Sequence, residues 1–133
     1  MKVEVVKKRF EANGDWDYQP NSNLRKILEW RCGNLEEHIT LLFKEVLKAI
    51  NKEADFSDYF IRIIRSDNPK EGWAFRRNLR GGTYGQVPDI VVGFANDYEE
   101  FDKTLIHEVL HMLNWDEEVV EAKTQEIHYK KRG

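Results

Sequence analysis

Residues 98–113 carry apolar side chains on most sides of a helical projection: Phe101, Leu105, Ile106, Val109, Leu110, Met112 and Leu113. A helix that is apolar nearly all round has to be covered on several sides, so the rest of the chain must supply a sheet or further helices to enclose it. Asp97 followed three residues later by Glu100 is a capping box that starts the helix. The covering elements are readable. Residues 2–10 form a Val-rich run with strand character. Residues 59–65 read as a strand ended by Ser66-Asp67-Asn68-Pro69, and residues 73–79 and 88–94 as two more, with Gly81-Gly82 between them. Asn34 with Glu37 caps an amphipathic helix bearing Leu35, Ile39, Leu42, Phe43, Val46 and Ile50 at helical spacing. Residues 24–32 fit either a helix or a strand, and residues 12–23 read as a loop with turn signals at Asn13-Gly14 and Pro20-Asn21. The expected class is α+β, with a small, mostly antiparallel sheet packed on a backing helix.

Composition narrows the function classes. A length of 133 residues with 41% apolar residues suits one domain over residues 1–133 with a real core. The 21 Lys and Arg against 24 Asp and Glu leave a net charge of -3, which argues against a purely electrostatic nucleic-acid or membrane-surface binder. No run is apolar for the roughly 18 residues a membrane span needs, and charge breaks up residues 1–8 before a signal-peptide core could form, so the expected location is the cytoplasm. Cys32 is the only cysteine. A disulfide within the chain and a thiolate metal cluster are thereby excluded, and any metal would have to be held by histidines and carboxylates.

Such residues sit in the middle of the buried helix, in Thr104-Leu105-Ile106-His107-Glu108-Val109-Leu110-His111. At 3.6 residues per turn His107 and His111 project from one face and can offer two imidazole nitrogens to one Zn²⁺, while Glu108 is displaced to the side where a metal-bound water would lie. A catalytic zinc needs a third protein ligand. After Asn114-Trp115, Asp116 can cap a second helix over residues 117–129, on which Glu117, Glu121, Thr124 and His128 run along one edge. Glu117 and Glu121 are the geometrical candidates.

The HExxH pattern is that of the zincins. Glu121-Ala122-Lys123-Thr124-Gln125-Glu126-Ile127 resembles the ExxAN-x-hydrophobic glutamate helix of gluzincins of the ImmA/IrrE type, in which the glutamate is the third zinc ligand. Residues 104–127 as a whole are similar to small phage-encoded or prokaryotic zincins and to the minigluzincin scaffold. The resemblance implies a zincin-like minimal metallopeptidase domain with an HExxH helix and a C-terminal glutamate helix, with Zn²⁺ on His107, His111 and Glu121. Glu117 is the alternative, since it falls where metzincins, HExxHxxGxxH, put their last ligand. Thr124-Gln125 departs from the family's Ala-Asn, and the inter-helix turn is shorter.

The activity so implied is zinc-dependent hydrolysis of peptide bonds, with Glu108 activating the zinc-bound water and a protein or peptide as substrate. Residues 90–94 are the candidate edge strand for an extended substrate. His128, Tyr84 and Tyr129 are candidate oxyanion partners, each more simply read as a surface residue. Arg31-Cys32-Gly33-Asn34 is similar to the cysteine-switch peptide of some metzincin zymogens. Two other functions compete. One is a metal-dependent endoribonuclease like the YbeY-type rRNA maturation factors, which carry Gly where Glu108 stands and His where Glu117 stands. The other is a zinc-stabilised binding module without turnover. His38 reads as exposed on its helix, Arg76, Arg77 and Arg80 as solvated, and Trp16, Trp30 and Trp73 as core.

Overall fold

The computed structural model describes residues 1–10, 16–74, 88–113 and 116–132. The elements run β1 (Lys2–Phe10), β2 (Trp16–Pro20), α1 (Ser22–Cys32), α2 (Leu35–Ile50), β3 (Phe60–Arg65), β4 (Gly72–Ala74), β5 (Ile90–Phe94), α3 (Tyr98–Met112) and α4 (Glu117–Arg132). The segment that fitted helix or strand is the helix α1. Much of the expected 12–23 loop is β2 and the start of α1, with Pro20 the last residue of the strand, while Asn13-Gly14 lies outside the described residues. Gly81-Gly82 and residues 75–79 of the expected third strand lie outside the described residues, as do Arg76, Arg77, Arg80 and Tyr84.

The class is α+β, but the sheet is not mostly antiparallel. Its five strands lie in the order β2-β1-β3-β5-β4. β1 pairs parallel with β3 (Val3 opposite Ile61, Val5 opposite Ile63), and β3 pairs parallel with β5 (Ile61 opposite Ile90, Ile63 opposite Val92). Among the described residues only β2 on β1 and β4 on β5 pair antiparallel. The physical reason is visible in β5, where all five residues are buried: a strand covered on both faces belongs in the interior of a parallel sheet, whereas alternating burial marks an antiparallel sheet with one wet face. Between β1 and β3 the chain passes through α1 and α2, the crossover that parallel pairing requires. β5 then inserts beside β3, displacing β4 to the end of the strand order.

One apolar cluster unites the sheet and the helices. Val3 and Val5 of β1, Ile61 and Ile63 of β3, and Ile90, Val92 and Phe94 of β5 meet Leu24 and Leu28 of α1, Leu35, Ile39, Phe43 and Val46 of α2, and Phe101, Leu105, Val109 and Leu110 of α3. α4 adds Val120 and Ile127. A smaller cluster of Val6, Ile64 and Val91 lies with Tyr18. The expected caps hold: Asn34 Oδ1 accepts from the Glu37 N–H at 2.9 Å, Asp97 Oδ1 from Glu100 at 3.1 Å and Asp116 Oδ1 from Val119 at 3.0 Å. Trp30 is not core; it is 84% exposed, because α1 buries the side carrying Leu24 and Leu28 and Trp30 stands two residues round from it. Among the described residues no helix is long and apolar enough to cross a membrane.

Candidate metal centre

α3 carries His107, Glu108 and His111, and α4 packs beside it with Glu117 and Glu121 in its first turns. The two Nε2 atoms of His107 and His111 are 3.2 Å apart. That separation is close to the ~3.3 Å edge of a tetrahedron whose vertices lie about 2.0–2.1 Å from a zinc ion. Glu117 straddles the pair, with Oε2 2.8 Å from His111 Nε2 and Oε1 3.3 Å from His107 Nε2. One ligating atom from each of these three residues falls within 4.8 Å of the others. Glu121 lies on the other side of the His107 ring, 3.5 Å from Nδ1. The residue implied as third ligand by the family resemblance therefore faces the back of an imidazole, and the alternative, Glu117, faces both imidazole fronts.

The donor set fits a divalent metal. Two imidazoles and a carboxylate are a common zinc combination. A hydroxyl without a hydrogen-bond partner, Thr124 Oγ1, is buried in α4 and lines the same cleft, which encloses about 270 Å³ with Gly72, Glu108, Glu117 and Glu121 also in its wall. A buried hydroxyl left unpaired costs about 1–3 kcal/mol, so the cleft is built to admit a polar occupant.

Burial sets the electrostatics. His107 is held below its ordinary pKa, first by burial and also by the neighbouring His111, against the pull of Glu117 and Glu121. The neutral ring is the form that ligates a metal. Burial, helped by the Glu117 charge, pushes Glu108 up to about 7. Its carboxylate is 3.9 Å from His107 Nε2 and its side chain is only 8% exposed. The strand β4 closes in on this side chain. At Gly72 an added Cβ would stand 2.5 Å from Thr104 Cγ2 and 3.3 Å from Glu108 Cγ. Only glycine lets the strand backbone come this close to α3, and Thr104 seats itself there by donating its hydroxyl to the Glu100 carbonyl at 2.7 Å.

Other expected site residues lie elsewhere. The strand proposed as an edge, β5, is interior; β4 is the terminal strand beside Glu108. His128 is buried and lines a second cleft with Cys32, His38 and Asp102, because seven residues of helix carry it roughly 10 Å along α4 from Glu121. Tyr129 is exposed. Cys32, in the stretch similar to a cysteine-switch peptide, lines a cleft that shares no lining residue with that of His107. His38 is not on an open face: its Nε2 pairs with Asp102 Oδ1 at 2.8 Å, with both side chains less than one-fifth exposed. Its position three residues after Leu35 and four before Leu42 put it on the buried stripe of α2, a signal present in the sequence. Compared with protein-family models, curated proteins and solved structures, the chain gives no significant match.

Proposed function

We propose that this chain is a small zinc-dependent peptidase in which His107, His111 and Glu117 hold the metal and Glu108 is the general base. One juxtaposition carries the reading: a buried carboxyl with its pKa raised to about 7 sits next in sequence to the first of two imidazoles whose Nε2 atoms converge to 3.2 Å. When bound, zinc supplies Lewis-acid activation of water and of a carbonyl group. His107 and His111 enter as neutral donors and Glu117 presents one oxygen to each. Glu121 Oε1, 3.5 Å from His107 Nδ1, stands where a carboxylate behind a ligating histidine would orient that ring. Glu108 takes a proton from the attacking water and returns it to the leaving amine. The strand β4, beside Glu108, is the natural support for an extended peptide. The order of third ligands implied by the family resemblance is thereby reversed.

Metal analysis and peptide-library cleavage with wild type and Glu108→Gln test the proposal. About one zinc per chain is expected in both, with cleavage reduced by about 10²-fold or more in the variant. Equal cleavage by the two proteins would remove Glu108 as the base. A fully metallated wild type that cleaves RNA and no peptide would replace the peptidase reading with a nuclease, and one that cleaves neither would leave a binding module.

A further inference from the structure

The cleft at the metal centre extends beyond the candidate ligands, and its far end carries groups that the peptidase reading leaves unused. Glu117 meets both His107 and His111, and Glu121 meets the other side of the His107 ring. α4 therefore runs back along α3 and brings Thr124 and Gln125 level with Lys103, one helical turn, about 6 Å, before His107. Across the cleft lies Lys70, two residues before β4, in a segment held to α3 where the Pro69 carbonyl stands 3.5 Å from the Thr104 hydroxyl. Lys70, Lys103, Thr124 and Gln125 line the same space of about 270 Å³ as His107 and Glu108.

The groups in this wall divide by whether they already have a partner. Each carboxylate does. Glu100 pairs with Lys103 at 3.6 Å, Glu117 faces the two imidazole fronts, Glu121 is 3.5 Å from His107 Nδ1, and Glu108 is 3.9 Å from His107 Nε2. Three groups have no side-chain partner among the described residues: the Lys70 ammonium, the Gln125 amide and the Thr124 hydroxyl, the last in a residue only 4% exposed. All three can donate a hydrogen bond and one carries a positive charge, which together complement a carboxylate. A hydroxyl buried without a partner is a cost in the empty protein that a bound acceptor removes.

We propose that this end of the cleft selects peptides carrying a carboxylate on the residue next to the scissile bond, recognised by Lys70, Gln125 and Thr124; this rests on the peptidase reading. The carboxylate is an Asp or Glu side chain or the free C-terminus of the peptide. An extended residue spans about 3.3–3.6 Å, so a scissile bond at the His107 end leaves either group within reach of the turn that carries Lys103. A basic side chain in that position would instead meet the unpaired charge of Lys70.

Digestion of a mixed peptide library by the zinc-loaded full chain, read by mass spectrometry, tests the preference. Asp, Glu or a free C-terminus is expected next to the cleaved bond, with kcat/KM at least about 10-fold above that of matched Gln or C-terminal amide peptides. Lys70→Glu should abolish this preference and favour Lys in the same position. Thr124→Val should weaken the preference yet keep or raise the Tm, because the hydroxyl it removes has no partner in the empty protein. Binding is read separately by ¹H–¹⁵N NMR. N-acetylglutamate α-amide, and not N-acetylglutamine α-amide, should shift residues 70, 124 and 125 if the side chain is the source; N-acetylalanine, and not its amide, should do so if the C-terminus is. Peptide cleavage with no carboxylate preference, or a preference that survives in K70E, overturns the proposal and leaves the peptidase reading standing. Absence of all peptide cleavage removes the peptidase reading; the carboxylate site then stands if the acid probes alone shift those residues, and falls if they do not.

Discussion

Substituting Asp102 by Asn isolates one electrostatic contribution to stability. The pair with His38 joins α2 to α3 across a boundary otherwise closed by apolar side chains, with the two side chains 18% and 16% exposed. Its effect on His38, from 6.5 to about 9, converts to roughly 3 kcal/mol at about 1.4 kcal/mol per pH unit. Part of that belongs to Cys32, and solvent reaches the pair, so about 2 kcal/mol is a fair allocation to Asp102. Because the folded-state pKa is the higher one, the stabilisation is complete below about 6.5 and disappears as the pH rises through about 9. Urea unfolding followed by circular dichroism should therefore place D102N about 2 kcal/mol below wild type at pH 6 and within a few tenths of it at pH 10. The corresponding loss in Tm at pH 6 is roughly 6–8 °C for a chain of this size. An equal loss at both pH values would mean that Asp102 acts through packing or a neutral hydrogen bond, and no loss at pH 6 would mean that the pair is fully screened.

At the metal centre, Glu117→Gln should weaken zinc binding by more than about 100-fold and Glu121→Gln by about 10-fold, measured by competition with a chromophoric chelator; the opposite order would make Glu121 the ligand. Gly72→Ala should lower stability by about 1–3 kcal/mol, because its Cβ meets Thr104 at 2.5 Å, and should lower kcat by moving Glu108 while the zinc content stays unchanged. A thermal melt with metal analysis separates the two effects. Phe101→Ala, at a fully buried position packed edge-on to Phe94 at 5.8 Å, should cost about 3–5 kcal/mol in denaturant unfolding.

What was legible in the sequence was local. Asn34, Asp97 and Asp116 announce their helices because a cap is a bond between a side chain and a backbone N–H three residues on. His107, Glu108 and His111 converge because a helix repeats every 3.6 residues, so their grouping needed no tertiary information. The sheet order did need it. Ser66 to Pro69 looks like a hairpin turn, yet the strand that follows ends up two places from β3 because β5, distant in sequence, fits between. The run of buried positions in β5 was the available sign of an interior strand. β2 was missed because it is five residues long and ends in Pro20. The partner of His38 lies 64 residues away and follows no periodicity. The choice between Glu117 and Glu121 depends on how α4 rotates against α3, which the packing of Val120, Thr124 and Ile127 decides.

The close approach at Gly72 divides the centre by chain distance. Every candidate ligand falls within residues 107–121, on two consecutive helices, so this helical hairpin by itself contains the groups that could grip a metal. The surroundings of Glu108 are different in kind, because the β4 backbone at Gly72, a strand paired into the sheet, closes in on its side chain. On the proposed reading, metal affinity would be written into one contiguous stretch, whereas the setting of the base would depend on the closed sheet. Zinc added during refolding should be captured before activity returns, and the interval between the two would time the docking of the edge strand.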